Sequence, residues 1–442
     1  MLLLSLVALS LAAPPAEELA AGMAAQRAGD IASAKAHYAA CLAQEPASVP
    51  CHWELGWSLW SEGDWGGVVQ QWEQVKALDP AHPQVDRHLP QARGHLDSLA
   101  LIQRAAAGAP DTVRVPLPAG KTLRIRAAGD VMMGTDFPHP TDYLPPNDGA
   151  DLLAGVIPLL RDADMTFVNL EGPLCDTGTT DKCAPGQNCY AFRTPTRYGD
   201  YLVAAGVDVV STANNHAEDF GQRCRLETEA ALDARGIAYS GRPGTVASLD
   251  VDGVKVGVIG FHSSASGHNL NDLDTAAALV RAVAASNDLV LVSFHGGAEG
   301  SKATHVPQGG EVFYGERRGD LRAFAQVVVE AGADLVVGHG PHVPRGMELI
   351  DGHLVAYSLG NFATYGRFSL GGHLSTSLVL EVVLDRDGRL VQGKILPVRL
   401  EGKGVPVPDP EGVAIDLIRS LTEEDFPGRG PVIAKDGSLG PG

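Results

Sequence analysis

Side chains of the types that bind divalent metals recur where successive apolar runs of the sequence end. A single Asp or His in such a place is more often a helix cap or a hydrogen-bonded structural group. Here five runs in order carry them, and carboxylate, imidazole and amide oxygen suit zinc, manganese, iron or magnesium. The absence of Cys from the set favours a catalytic over a closed structural site. The residues are Asp130, Glu171, Asn214, Asn215, His216, His295, Glu299, His339 and His342.

The runs that precede these residues read as β-strands alternating with helices. Alternation of this kind predicts an α/β domain with a largely parallel sheet, whose ligand sites lie beyond the carboxyl ends of the strands. A later run, 374–390, contains an Asp-Gly turn and predicts an antiparallel hairpin. The predicted strands are Thr122–Ala128, Met165–Asn169, Val207–Thr212, Lys255–Phe261, Leu289–Phe294, Leu335–Val337 and Leu354–Ser358. The predicted helices are Gln222–Arg235, Thr275–Ser286 and Leu321–Ala331.

The first quarter of the chain has a different pattern. Gly-Asp occurs at 29–30 and 63–64, and Pro46 is matched by Pro80, so both pairs are 34 residues apart. That period, with apolar residues at helical spacing, resembles the tetratricopeptide repeat. We therefore predict a small all-α helical domain over residues 15–107, with a helix around Pro83–Ala107 as its cap, and a Gly/Pro-containing linker over 108–121. The repeats predict either a docking surface for another protein or a helical appendage.

Residues 1–13 form an apolar run of signal-peptide length, with Ser10 and Ala12 suiting cleavage, although the run lacks a basic residue before it. No later segment is apolar enough to span a membrane. The prediction is export to a periplasmic or extracellular location. Six cysteines agree with an oxidising compartment. Cys41 and Cys51 form the natural local pair, while Cys175, Cys183, Cys189 and Cys224 leave three pairings open.

The formal net charge is −19, from 34 Lys+Arg against 53 Asp+Glu. This sign disfavours nucleic acid or an anionic membrane as the main partner. An anionic substrate would need local help from a metal or from helix N-termini.

Six motifs in order resemble the CapA family of capsule and poly-γ-glutamate biosynthesis proteins. They are G-D-V-M-M-G, N-L-E-G-P-L, A-N-N-H-A-E-D-F-G, H-G-G-A-E-G, G-H-G-P-H-V and A-Y-S-L-G-N-F, within roughly Leu123–Leu400. The resemblance implies a metallophosphatase-like α/β/β/α sandwich over residues 122–404, after the helical domain. A Pro/Gly-containing tail, expected to be loosely held, would occupy 405–442.

The resemblance also implies roles for the residues at the strand ends. The metal ligands would be Asp130, Glu171, Asn215, His295, His339 and His342, holding one or two divalent ions. Two departures leave the number of ions open. Met132 stands where the superfamily has the histidine of a D-x-H motif, and His339 and His342 are three residues apart rather than two.

The predicted function is a metal-dependent hydrolase of a phosphoester or amide bond, acting on an exported envelope polymer or a small anionic substrate. His216 is the candidate general acid, held by Asp219 or a backbone carbonyl, and Asn215 would assist it at the metal. The candidates for substrate contacts are Arg345, Asn214 and Glu299. A surface or structural role is the alternative for Arg345, and Glu299 is also a candidate for the missing ligand. A non-catalytic accessory protein that holds or exports an anionic polymer is the alternative.

Overall fold

The computed structural model describes residues 13–108, 120–180, 182–183 and 190–442. The chain divides into two compact units, one ending at Asp97 and the other beginning at Ser98. The apolar run of the predicted signal peptide and most of the predicted linker lie outside the described residues. Within the described ranges, no helix has the length and apolar character needed to cross a membrane.

The first unit consists of helices that begin where the sequence repeat predicts turns. Asp30 and Asp64 each accept a hydrogen bond from a backbone N–H three residues later, at 3.0 Å, and so cap the helices that follow them. The helix α5 continues beyond Asp97 into the second unit. The helices are α1 (Pro15–Arg27), α2 (Ile31–Gln44), α3 (Val49–Ser61), α4 (Trp65–Leu78) and α5 (Val85–Gly108).

The 34-residue period is also present in the packing of these helices. A Cβ atom at Gly22 would collide with the ring of Tyr38, and one at Gly56 would collide with the ring of Trp72. Each pair is the other shifted by 34 positions. Both helical hairpins are therefore closed by a glycine against a buried aromatic ring. Assignment of the hairpins to the tetratricopeptide class stays a prediction.

The second unit contains two large sheets and a small two-stranded one among its described residues. The first sheet has the order β18-β19-β16-β15-β1-β2-β3-β4, with β14 also beside β1 and β17 beside β16. The second has the order β12-β13-β11-β8-β6-β5, with β7 beside β6, and β9 pairs with β10. The strands are β1 (Leu123–Met132), β2 (Met165–Leu170), β3 (Val209–Ser211), β4 (Ala238–Ser240), β5 (Ala247–Val251), β6 (Val254–His262), β7 (His268–Asn269), β8 (Leu289–His295), β9 (Glu311–Phe313), β10 (Glu316–Gly319), β11 (Leu335–His339), β12 (Met347–Ile350), β13 (His353–Ala356), β14 (Asn361–Thr364), β15 (Thr376–Leu384), β16 (Leu390–Glu401), β17 (Val405–Pro408), β18 (Val432–Ile433) and β19 (Ser438–Gly440).

The two sheets pack face to face and carry helices on their outer faces. Side chains such as Phe167 of the first sheet and Leu291 of the second belong to one buried cluster between the sheets. The outer face of the second sheet packs on helices through residues such as Phe324. The outer face of the first sheet packs on helices in the same way, through residues such as Leu202. The predicted α/β/β/α sandwich is confirmed. Its helices are α6 (Pro140–Tyr143), α7 (Ile157–Arg161), α8 (Gly199–Ala205), α9 (Gly221–Asp233), α10 (Leu273–Ala284), α11 (Leu321–Glu330) and α12 (Val413–Asp425).

Parallel pairing brings the carboxyl ends of several strands to one edge of the sandwich. In the first sheet β1, β2, β3 and β4 are parallel to one another. In the second sheet β6, β8, β11 and β13 are parallel. The predicted hairpin forms from β15 and β16, and β15 lies antiparallel to β1.

Residues 405–442 differ from the expected loose tail. The strand β17 pairs with β16, and β19 pairs with both β16 and β18, so the segment completes one side of the first sheet. The helix α12 contributes Ile415 and Ile418 to the core between the sheets. Pro406 and Pro408 are tolerated because β17 pairs on one side only. The domain therefore extends beyond the predicted boundary at residue 404.

Candidate metal centre and cleft

Four ligand-type side chains from both sheets meet at the edge where the parallel strands end. Asp130 lies near the end of β1, and Glu171 directly follows β2. His295 and His339 are the last residues of β8 and β11 in the opposite sheet. All four are fully buried. The predicted residues are thus brought together, although they come from two sheets instead of one.

Asp130 is hydrogen-bonded to His342 and Asn169 and has His339 as a further polar neighbour. Its Oδ2 lies 2.9 Å from His342 Nδ1, its Oδ1 lies 3.4 Å from His339 Nδ1, and the amide of Asn169 donates to Oδ1 at 2.8 Å. Burial opposes ionisation of Asp130, but the two histidines outweigh that effect and lower its pKa. The carboxyl group is therefore a carboxylate, as a metal ligand must be.

Glu171 lies at the centre of the imidazoles. Its Oε1 is 3.4 Å from His295 Nε2, 3.7 Å from His342 Nε2 and 3.9 Å from His216 Nε2. Neither carboxyl oxygen has a hydrogen-bond partner. Burial raises its pKa well above the usual range. For His342, burial lowers the pKa, but Glu171 and Asp130 outweigh it and raise the pKa to about 10.

The residues present fit a divalent cation. Asp130, Glu171 and His295 can each offer one ligand atom with all three atoms within 4.8 Å of one another. Buried polar atoms without a partner are costly, and a bound cation would satisfy them. Among the ligands predicted from the sequence, the unpartnered buried atoms are both oxygens of Glu171, Oδ1 of Asn215 and both ring nitrogens of His295 and of His339. With Asp130 and His342, these residues would hold the ion.

Met132 lies within the same strand as Asp130 and is buried. Its Sδ accepts a hydrogen bond from the backbone N–H of Gly134 at 3.3 Å. A thioether is a poor ligand for the hard divalent ions that carboxylates select. The departure noted in the sequence therefore persists in the structure, since β1 contributes a carboxylate and no imidazole.

His216 and Asp219 form a hydrogen-bonded pair next to the centre, as the sequence predicts. His216 Nδ1 lies 2.7 Å from Asp219 Oδ2. Asp219 also accepts hydrogen bonds from Lys182 Nζ at 2.6 Å and from the backbone N–H of Phe192 at 2.8 Å. Burial lowers the pKa of His216, while Asp219 opposes the shift. The pair therefore has one imidazole nitrogen anchored and the other, Nε2, facing Glu171.

Asn214 was a candidate for substrate contact, and the structure corrects this. The residue is 1% exposed; its Nδ2 donates to the carbonyl of Leu170 at 2.9 Å, and its Oδ1 accepts from the backbone N–H of His216 at 3.1 Å. It holds the loop that carries His216 against β2. Both polar atoms of the side chain are thus bonded to the protein backbone.

Arg345 is also wrongly placed by the sequence prediction. Its guanidinium is buried and donates to both carboxylate oxygens of Glu311 at 2.9 Å, and its Nε donates to the carbonyl of Ala303 at 2.7 Å. A buried bidentate pair of this kind leaves the side chain committed. Arg345 thus fixes the segment that follows β8, which carries Glu299.

A cleft with a volume of about 590 Å³ opens above the centre. Glu299 lines it, accepts a hydrogen bond from Arg318 Nη2 at 2.7 Å and lies 3.9 Å from His342 Nε2. Two strongly exposed aromatic side chains, Tyr190 at 55% and Tyr314 at 91%, lie at the same cleft. The other lining residues are Lys182, Phe192, Asn215, His216, Gly300, Phe313, Glu316, Arg318, His342, Arg367, Phe368, Ser369 and Leu374.

Three residues at or near the site were missed from the sequence. Lys182 and Arg318 lie outside the parallel strands, so no periodic pattern pointed to them. His262 ends β6 and could have been found, because it directly follows the predicted strand Lys255–Phe261. His262 is a metal-binding type of side chain at the end of an apolar run, which is the criterion that identified the other candidates.

The fold and the site define a class of protein: a two-sheet α/β sandwich with a buried carboxylate and imidazole centre below an open cleft. A family model described as "Bacterial capsule synthesis protein PGA_cap" matches residues 124–365, more than half of the chain. The chain belongs to this family.

Several relatives named for capsule or polymer synthesis are similar to the chain. "PGA biosynthesis protein CapA" of Bacillus subtilis is 26% identical over 275 residues, covering 58% of this chain and 67% of the relative. "Capsule biosynthesis protein CapA" of Bacillus anthracis is 25% identical, covering 59% and 63%. A "probable polyglutamine synthesis accessory protein" of Mycobacterium tuberculosis is 28% identical over 362 residues, covering 66% and 86%.

Among solved structures, the 5'-nucleotidase precursor of Thermus thermophilus matches 69% of this chain and 59% of its own length. The identity is 14% and the TM-score is 0.34.

Proposed function

We propose that this protein is an exported metal-dependent hydrolase that cleaves a phosphoester or amide bond in the biosynthesis of a capsule or envelope polymer such as poly-γ-glutamate. One observation carries the proposal: buried, unpartnered ligand atoms of Glu171, His295 and His339 lie beside the His216–Asp219 pair, below an open cleft. Membership of the capsule synthesis family supports the polymer, and the cysteine content supports export.

The chemistry divides between the ion and the chain. A bound divalent metal would lower the pKa of a water molecule and polarise the bond under attack. His216 would protonate the leaving group from Nε2, since Nδ1 is anchored on Asp219. Its lowered pKa makes the protonated ring a stronger acid, and Asp219 keeps that form accessible. Lys182 at the cleft wall would contact an anionic group of the substrate.

The test combines metal analysis with hydrolysis assays on the purified full-length protein. We expect stoichiometric metal by elemental analysis and hydrolysis of p-nitrophenyl phosphate or γ-glutamyl-p-nitroanilide. His216→Ala should lower kcat by roughly 10²- to 10⁴-fold while metal is retained. Glu171→Gln should lose the metal as well as activity.

A matched control is His52→Ala in the helical unit, where both ring nitrogens of a buried histidine have protein partners. This variant should keep both metal and rate. A wild-type protein without metal, or a His216→Ala variant with an unchanged rate, would contradict the proposal.

The name of the mycobacterial relative, an accessory protein, favours a second candidate. In that role the chain would hold or export an anionic polymer and dock a partner through its helical repeats. The net charge of −19 argues against long-range attraction of a polyanion, so binding would depend on the cations of the cleft. This role would be favoured over hydrolysis if the protein binds poly-γ-glutamate without cleaving it and the Lys182→Ala variant no longer binds it.

A further inference from the structure

Three histidines form a row across the second sheet at the edge that faces the centre. The parallel register pairs His262 of β6 with His295 of β8, and His295 with His339 of β11. Side chains alternate between the faces of a strand. Val258 and Leu291, each four residues before one of these histidines, lie in the core between the sheets. The row therefore projects into the space between the sheets, where the carboxylates of the centre lie.

The members of this row share a feature that the other described histidines lack. His262 Nε2 and both ring nitrogens of His295 and His339 are buried without a hydrogen-bond partner, and among the described residues no other histidine has such an atom. His262 is 2% exposed. A buried ring nitrogen without a partner is costly, which points to a ligand that satisfies it.

His268 is a reference for what burial alone produces. It lies six residues after His262, on β7, and is 1% exposed. Its Nδ1 donates to the carbonyl of Gly260 at 3.0 Å, and its Nε2 accepts from the backbone N–H of Gly244 at 2.9 Å. A structural histidine in this part of the fold thus has both nitrogens satisfied, and His262 does not.

The ring of His262 is oriented from its other nitrogen. Its Nδ1 lies 2.8 Å from Ser264 Oγ, and the backbone N–H of Ser264 donates a longer hydrogen bond to the same nitrogen at 3.3 Å. In the tautomer with the proton on Nδ1, the ring donates to the hydroxyl and gives up the longer bond from the backbone N–H. The lone pair of Nε2 is then available, which is the arrangement of metal-binding histidines. The ring centroid lies 5.6 Å from that of His295.

We propose that His262 is a further metal-binding residue of the centre and supplies Nε2 to a divalent cation such as Zn²⁺ or Mn²⁺. The inference rests on the metal binding proposed above and extends the ligand set to β6. β1 supplies no imidazole, because Met132 stands where the histidine of a D-x-H motif would be. His262, at the end of β6 in the opposite sheet, would supply one in its place.

Metal affinity and spectroscopy test this inference without an activity assay. The full-length protein is stripped with a chelator and titrated with Zn²⁺ against a competing chelator, and Co²⁺ absorption spectra are recorded. For His262→Leu we expect an affinity at least tenfold lower, or one ion fewer, and an altered Co²⁺ spectrum. His268→Gln, the matched control, should stay within about twofold of the wild type.

Near-ultraviolet circular dichroism and a melting curve establish that the variants are folded. Should His262→Leu fail to fold, His262→Gln replaces it, because an amide can still bond to Ser264 but offers no imidazole. Unchanged metal affinity and spectrum in a folded His262 variant would overturn the inference alone, leaving Nε2 as a hydrogen-bond donor. No metal in the wild-type protein would instead overturn the proposed function and this inference together.

Discussion

At the scale of single residues, two neighbouring asparagines have different surroundings. Asn214 uses its side chain to bond the backbone at Leu170 and His216. Asn215 has a buried Oδ1 without a partner and lines the cleft. The same residue type therefore serves as a brace at one position and as a candidate ligand at the next.

Substitution separates these two roles. Asn215→Ala should weaken metal binding about tenfold or more and change the stability of the metal-free protein little, because no hydrogen bond is lost. Asn214→Ala should lower the free energy of unfolding of the metal-free protein by about 1–3 kcal/mol, since two buried backbone groups lose a partner. Denaturant unfolding and Zn²⁺ titration measure both quantities. Similar behaviour of the two variants would contradict the assignment.

His268 predicts a pH dependence of stability. Burial lowers its pKa to about 4, from 6.5 in an exposed ring. The folded protein therefore requires the neutral ring. The contribution of this ring to the free energy of unfolding is complete above pH 6.5 and is lost as the pH falls towards 4. Lowering the pH from 7 to 5 should therefore decrease the free energy of unfolding by about 2 kcal/mol through His268 alone. The His268→Gln variant should lose correspondingly less stability over that range, measured by urea unfolding; equal slopes would refute the prediction.

At the scale of elements, a disulfide joins the two segments that carry the centre. Cys175, shortly after Glu171, is bonded to Cys224 in α9, which follows the loop with His216. The predicted pair Cys41–Cys51 is confirmed and joins α2 to α3 in the other unit. Cys183 is also disulfide-bonded, and Cys189 lies outside the described residues.

Removal of the disulfides should affect the units differently. Replacement of Cys175 and Cys224 by Ser frees a loop of 49 residues, and the chain-entropy estimate for such a loop is about 4 kcal/mol. We expect a lower melting temperature of the second unit and weaker Zn²⁺ binding, because the Glu171 and His216 segments are no longer tied together. Replacement of Cys41 and Cys51 is the matched control and should leave Zn²⁺ affinity unchanged. Equal effects of both replacements on affinity would contradict this account.

At the scale of the whole molecule, the two units have separate cores. All five tryptophans, Trp53, Trp57, Trp60, Trp65 and Trp72, lie in the first unit. They pack on one another, as in the stacked pair Trp53 and Trp72 with ring centroids 5.0 Å apart. Tryptophan fluorescence therefore reports on the helical unit, and the centre lies in the other unit.

Metal should stabilise one unit and leave the other unchanged. Zn²⁺ at 100 times its dissociation constant adds about 2.7 kcal/mol to the unit that binds it. We expect calorimetry to resolve a transition that moves to higher temperature with Zn²⁺ and the transition seen by tryptophan fluorescence to remain in place. A shift of the fluorescence transition by the same amount would mean that the units unfold as one.

The repeating patterns of the sequence were sufficient for much of the fold. Strands such as Met165–Leu170 and Leu289–His295 agree with their predictions to within a residue, because continuous apolar runs are typical of strands buried on both faces. The tail was misjudged because its partner, β16, is adjacent in space and its prolines lie in an edge strand. Arg345 was misjudged because Glu311, which neutralises it, is 34 residues away in sequence.

The sequence by itself determined which side chains stand at the strand ends, since strand ends follow from local apolar runs and glycine turns. Only the tertiary structure decided which of these side chains meet, because strand pairing and sheet packing are non-local. It brought Asp130 and Glu171 from one sheet against His295 and His339 from the other, and turned Asn214 and Arg345 away to brace the loops. It also placed His262 beside His295 through the register of β6 with β8.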